Sequence, residues 1–176
     1  MGGMTISNAV WSPDQKTVYV SALEGPSNLI WKWSGDGSNP EKFVERCGYL
    51  YDAHPDGNYL LALYNSGENA GIYEVSIPER KCVPLLPNVA TFGAIFGRDG
   101  KSFLYAISSR SEVTIYRQLW KDGKLIGTPQ VALRLPFTFP LFLGGNGGNT
   151  YDFSRDLSTV VYARTSGHAD LYLLSR

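Results

Sequence analysis

Ala53-His54-Pro55-Asp56-Gly57-Asn58 is one version of a phrase that the chain repeats. The others are Trp11-Ser12-Pro13-Asp14-Gln15-Lys16, Phe96-Gly97-Arg98-Asp99-Gly100-Lys101 and Phe153-Ser154-Arg155-Asp156-Leu157-Ser158. Each reads as a tight turn. Pro or Arg starts it, Asp caps nearby backbone amides, and Gly takes the left-handed position of a bulged hairpin. Asp14, Asp56, Asp99 and Asp156 stand 42, 43 and 57 residues apart, and the first two intervals match the roughly 40–45 residues of a propeller blade.

Each turn leads into a strand-like run rich in β-branched and aromatic residues: 17–21, 59–64, 102–107 and 159–163. About ten residues on, a second strand recurs with an aromatic or apolar centre: Leu29-Ile30-Trp31-Lys32-Trp33, Gly71-Ile72-Tyr73-Glu74-Val75, Val113-Thr114-Ile115-Tyr116-Arg117 and Asp170-Leu171-Tyr172-Leu173-Leu174. Short outer strands close the first three repeats around 41–44, 81–85 and 130–133. No stretch combines helical apolar spacing with freedom from Gly and Pro over more than a turn. The predicted fold is all-β: a β-propeller of about four blades at 5–46, 47–88, 89–135 and 148–176, the last three-stranded, with a Gly/Pro-rich loop at 136–149. Blades bury both apolar faces only by stacking on one another.

Composition excludes several function classes. Sixteen Lys and Arg balance sixteen Asp and Glu, so no long-range field gathers phosphates or anionic lipid, and neither nucleic acid nor a membrane is an expected partner. The apolar stretch 133–143 is interrupted by Arg134, Pro136 and Pro140 and falls short of the roughly 20 residues of a membrane span. Met1-Gly2-Gly3-Met4 has neither the basic nor the apolar region of a signal peptide. Cys47 and Cys82, with no CxxC and no clustered His, do not read as a metal site. They are expected to be free, packed thiols, although spacing alone does not decide a disulfide.

The recurring Asp14, Asp56, Asp99 and Asp156, with Gly57 and Gly100, read as structural turn residues, because a turn Asp is ordinarily satisfied by its own backbone amides. No catalytic, metal or cofactor-binding residue is assigned, and no cofactor is expected. Gly144-Gly145-Asn146-Gly147-Gly148 lacks the Lys-Ser or Lys-Thr of a phosphate loop. Its default reading is an insertion, which fits the 57-residue spacing between Asp99 and Asp156; the functional alternative is a loop at a propeller mouth whose Gly145 and Asn146 contact a partner. His54 and His168 are expected in turns at the surface, with no Gly-x-Ser-x-Gly elbow to serve. Trp31, Trp33, Tyr73 and Tyr116 are expected to stack between blades. Trp120, beside the polar Lys121-Asp122-Gly123-Lys124 hairpin, reads as an exposed partner anchor.

The repeated phrase resembles the PD40 repeat of TolB-like, WD40-like six-bladed propellers, whose consensus runs aromatic-Ser-Pro-Asp-Gly-Lys before an apolar strand. Gln15 and Leu157 stand where that consensus has Gly, so those two turns are expected to adopt another geometry. The segment from Leu135 through Asp152-Phe153-Ser154-Arg155-Asp156 to Leu174 looks more specifically like the end of propellers fused behind bacterial serine/threonine protein kinases. That resemblance implies a non-catalytic sensor or scaffold that binds a protein or small ligand, extracytoplasmic if the kinase spans a membrane. No kinase signature lies within the chain itself.

The resemblance leaves two alternatives open, the gating propeller of a prolyl oligopeptidase-like hydrolase and a TolB-like envelope interaction protein. A six-bladed ring needs about 240–270 residues at about 40–45 per blade, so the chain reads as part of one, with the remainder expected before Met1. The isolated fragment is expected to self-associate through open blade faces.

Overall fold

A computed structural model describes residues 5–24, 27–64, 67–89, 91, 93–109, 112–135, 151–165 and 169–175, with side chains of the last two segments described only at 154–159 and 161. Gly145, Asn146 and His168 lie outside the described residues. The described chain forms four antiparallel sheets and no helix. Blade 1 is β1 (Thr5–Trp11), β2 (Thr17–Glu24), β3 (Ser27–Ser34) and β4 (Glu41–Glu45). Blade 2 is β5 (Tyr49–Ala53), β6 (Tyr59–Tyr64), β7 (Gly71–Ser76) and β8 (Lys81–Pro87). Blade 3 is β9 (Gly93–Phe96), β10 (Ser102–Ser108), β11 (Val113–Lys121) and β12 (Lys124–Leu135). The fourth sheet is β13 (Tyr151–Phe153), β14 (Thr159–Thr165) and β15 (Ala169–Ser175). Each sheet keeps its strands in chain order, the arrangement of a propeller blade.

Period-two alternation explains why β6 is apolar throughout rather than on every other residue. Leu60 and Ala62 turn toward blade 1, where they meet Tyr19, Ile30, Val44 and Leu50. Leu61 and Leu63 turn the opposite way and meet Phe96, Phe103 and Tyr105 of blade 3. All four are fully buried, and each leucine contributes about 1.5–3 kcal/mol by leaving water. On its far face blade 3 packs Leu104, Ala106, Val113 and Ile115 against Leu157 from the fourth sheet. The inner strands adjoin directly: Asn8 of β1 donates its amide to the Leu50 carbonyl of β5 at 2.8 Å.

Three expectations change here. Cys47 and Cys82 are joined in a disulfide, with Cα atoms 6.0 Å apart, rather than packed as free thiols. The link after β4 lays Cys47 against β8, a proximity that sequence spacing could not encode. Trp31 and Trp33 alternate with Ile30, which faces blade 2, so they occupy the opposite face of blade 1 and are only half-buried. Their indole Nε1 atoms are buried with no hydrogen-bond partner among the described residues. Trp11 shares that face through the Trp11–Val18–Trp33 register and is 52% exposed. The outer strand of blade 3 starts at Lys124 rather than near Gln130, because the Asp122-Gly123 hairpin, both residues at positive φ, extends β11 and β12 together.

Candidate functional site

The four repeated turns lie at one end of the blades, and each aspartate there is consumed by its own turn. Asp14, Asp56, Asp99 and Asp156 accept the backbone N–H two residues on, at 2.8–3.1 Å. A second donor completes each one. Ser12 and Ser154 donate their hydroxyls to Asp14 and Asp156 at 2.6 and 2.7 Å. In blade 3 that position is Gly97, and the Ser102 hydroxyl from the following strand donates to Asp99 instead. A Cβ at Gly97 would fall 1.9 Å from Ser102 Oγ, so the two residues exchange one role. In blade 2 the partner is His54, whose Nδ1 lies 2.7 Å from Asp56 Oδ1.

The hydroxyls, with the backbone N–H groups, hold Asp14 and Asp156 below the ordinary carboxylate range. Partial burial pulls Asp56 and Asp99 upward, but the backbone N–H groups of Asn58 and Lys101 and the His54 and Ser102 side chains outweigh it and lower both. Carboxylates so saturated have little capacity left for a ligand.

Gln15 and Leu157 take the left-handed backbone, φ 58° and 59°, just as Gly57 and Gly100 do at 78° and 63°. The expected change of geometry does not occur, because the surrounding hydrogen bonds over-determine the turn and the side chains carry the strain. Gln15→Gly is therefore expected to stabilise by about 0.5–1 kcal/mol, the relief of left-handed strain less glycine's entropy. Gly100→Ala is expected to destabilise by about 1–2 kcal/mol, since its methyl would also press the His54 ring at 3.3 Å. Urea denaturation of the two variants checks both signs.

Neither His54 nor Trp120 is a surface residue. His54 is 4% exposed: its ring meets Phe96 edge-on at 4.7 Å and Trp120 at 4.4 Å, and Nε2 lies 2.9 Å from the Gly100 carbonyl oxygen. Trp120 is 5% exposed, the reverse of the expected anchor, because the long hairpin of blade 3 folds back over blade 2. There its indole N–H donates to Glu74 Oε2 at 2.9 Å. Burial pushes the Glu74 carboxyl above its ordinary 4.5, with the indole bond pulling the other way. A raised carboxyl stabilises the folded protein in its protonated form, and that advantage is lost as pH rises from 4.5 through the folded value. Glu74→Gln, which keeps the acceptor oxygen, is expected to melt higher than the parent at about pH 7 and to converge with it near pH 4. Thermal scans across that range test it.

A second polar knot ties three blades at the same end. Arg155 bonds the Asp52 carboxylate at 2.5 Å and the Phe96 carbonyl at 2.9 Å, while the Phe96 N–H donates to Asp52 at 2.8 Å. Burial raises Asp52, and the Arg155 charge counters it. No sequence motif singles out Asp52 or Glu74, and Arg155 stands in the repeated phrase only as the residue that starts its turn; for the two acids the one available signal is a carboxylate within a strand otherwise made largely of apolar residues.

The opposite end carries the second-to-third-strand hairpins and the links between blades. Between blades 1 and 2 it holds a cavity of about 480 Å³ lined by Ser27, Asn28, Arg46, Tyr64, Asn69 and Tyr73. The two tyrosine rings meet edge-to-face at 5.3 Å, and the Tyr73 hydroxyl donates to the Asn69 carbonyl. A smaller hollow, about 250 Å³, lies on blade 1 beside Lys32, Trp33 and Glu41. Among the described residues no group of three His, Cys, Asp or Glu side chains could hold a metal ion.

Sheets of this order, stacked face to face, define the chain as a β-propeller. Among solved structures it is similar to TolB from Acinetobacter baumannii, at 19% identity and a TM-score of 0.66 over 97% of this chain and 41% of that one. It is also similar to the β-propeller domain of the Trilobed protease from Pyrococcus furiosus, at 11% identity and a TM-score of 0.58, covering 98% of this chain and 55% of that domain. Acylaminoacyl peptidase from Pyrococcus horikoshii matches at 12% identity and a TM-score of 0.57, covering 98% of this chain and 31% of that one. The fold is TolB-like, and the chain spans about two fifths of the length of TolB. No family model and no curated protein sequence matches the chain.

Proposed function

We propose that the chain is a non-catalytic propeller module that binds a ligand at the link end of blades 1 and 2. The observation that carries this reading is the contrast between the two ends. Acids at the turn end are saturated by their own backbone, whereas the link end offers a cavity within the roughly 300–1,000 Å³ of small-molecule sites, lined by tyrosine, asparagine, serine and arginine. The test is a thermal-shift screen of small metabolites against the parent and Tyr73→Ala. Compounds that raise the parent's midpoint and lose that effect in Tyr73→Ala support the reading. A screen whose hits are indifferent to Tyr73 and Tyr64 overturns it.

The wider setting proposed for this module is a bacterial serine/threonine kinase-type signalling protein, in which the propeller senses or scaffolds. Its support is the resemblance of the segment from Leu135 to Leu174. The Cys47–Cys82 disulfide supports an oxidising, extracytoplasmic location for the propeller. A kinase reading frame continuous with this one is the expected finding; its absence removes the kinase association. The likeness to the Trilobed protease and acylaminoacyl peptidase favours a second reading, a propeller attached to a peptidase. Labelling of the full-length protein by an activity-based serine probe would select it.

A further inference from the structure

Arg46 and Arg98 have no ion pair among the described residues, and of the two only Arg46 lines the cavity at the link end. Arg80, Arg117, Arg134 and Arg155 each pair with a carboxylate. No acid lines that cavity among the described residues. The backbone that presents Arg46 is fixed on both sides. Its own N–H donates to the Asn28 carbonyl at 2.8 Å, at a φ of 55°. The next residue, Cys47, is fully buried and bonded to Cys82 of blade 2. Gly48 then lies so close to β6 that a Cβ there would fall 2.2 Å from the Leu63 carbonyl oxygen, which leaves the link no room to lift. Tyr64, the residue after Leu63, supplies one aromatic wall. Tyr73 supplies the other.

A guanidinium without a carboxylate partner, borne by an exposed side chain on a fixed backbone and lining a cavity with two tyrosines, is suited to a planar anion carried on a small apolar or hydroxylated body. We infer that the cavity between blades 1 and 2 takes a small organic carboxylate, with its carboxyl group on the Arg46 guanidinium and its body against Tyr64 and Tyr73. A sugar acid and an acylated amino acid share this chemistry. Asn28, Asn69 and Ser27 supply amide and hydroxyl groups for the remaining polar atoms. The inference rests on the proposed ligand site and adds its chemistry.

Saturation-transfer NMR on the full chain, titrated with D-glucuronate and with N-acetylglycine, tests it; D-glucose and N-acetylglycinamide serve as neutral counterparts. At least one acid is expected to bind saturably, and its neutral counterpart roughly tenfold or more weakly, as a charge-assisted bond requires. Which acid binds identifies the source. Arg46→Ala is expected to erase the preference for the acid, Arg46→Lys to keep part of it, and Arg80→Ala, outside the cavity, to leave it intact. Neutral compounds that bind as well as the acids, with Tyr73→Ala abolishing both, would leave the cavity as a ligand site and overturn the carboxylate assignment. Absence of saturable binding by any of the four, or acid binding unchanged in Arg46→Ala, overturns it as well. Should Arg46→Ala fail to fold, the acid-to-neutral ratio on the parent and the Arg46→Lys titration still decide.

Discussion

Trp120→Ala is expected to lower the unfolding free energy by about 4–5 kcal/mol, near the top of the range for a buried tryptophan. Two losses combine. The indole touches His54, Tyr59 and Phe96 with ring centroids 4.4–5.3 Å away, so its removal opens a void at the junction of blades 2 and 3. It also deprives Glu74, 3% exposed, of the donor at 2.9 Å that satisfies its carboxylate. An orphaned buried acceptor costs about 1–3 kcal/mol, and that second component can be isolated. Trp120→Phe keeps most of the packing and removes the N–H, so it is expected to lose about 1–3 kcal/mol. In the Glu74→Leu background that smaller loss should largely vanish. Since whole domains have stabilities of only about 5–15 kcal/mol, the alanine variant is to be read alongside the phenylalanine one. Guanidinium denaturation with a loss below about 2 kcal/mol for Trp120→Ala would show that the hairpin does not close this interface.

The repeated turn phrase carried most of the fold, because it combines local chemistry with register. An Asp that caps the amide two residues on, followed by a left-handed residue and a β-branched or apolar run, determines where the second strand of each blade starts. The spacing then sets the blade. What it could not convey is which side chains from different blades meet. His54 and Trp120 stand far apart in sequence and in polar surroundings, so each reads locally as surface. They are buried because the Asp122-Gly123 hairpin extends β11 and β12 far enough to reach across to blade 2. Hairpin length is a local property, but where the hairpin lands is not.

The same distinction separates the candidate site from the turns. Ser27, Asn28, Arg46, Tyr64, Asn69 and Tyr73 come from five separate stretches of two blades, none of them a motif. Arg46 is a single basic residue at the end of an outer strand, and only the convergence of two hairpins with a link gives it a cavity. Asp52 and Arg155 are more distant still, and they meet because stacked blades bring their inner ends together at one mouth. A one-residue phrase change, such as Gly97 for Ser, was visible in the sequence. Its compensation by Ser102 was not, since a neighbouring-strand hydroxyl replaces a same-turn one only when the backbone comes within contact of it.

Removing the Cys47–Cys82 bond is expected to destabilise the chain by about 3–4 kcal/mol. The bond spans 35 residues, and closing a loop of that length in the unfolded chain accounts for a loss of this size. At roughly 2–4 °C per kcal/mol for a protein of this size, the melting midpoint of Cys47→Ala/Cys82→Ala should fall by about 10 °C. The comparison is internal. Reductant should lower the midpoint of the parent by a similar amount and leave the double variant unchanged, which separates loss of the crosslink from loss of the sulfur atoms. Alkylation under denaturing conditions should label neither cysteine before reduction and both after it. A parent that yields two labelled thiols without reductant, and whose midpoint ignores reductant, would show that the bond does not form. Because Cys47 directly follows Arg46 and anchors the link between blades 1 and 2, the destabilisation should be local as well as global. Hydrogen exchange in the reduced protein is expected to accelerate first at residues 45–49 and along β8. Uniform acceleration across all four sheets would instead show that the bond acts only through the unfolded chain.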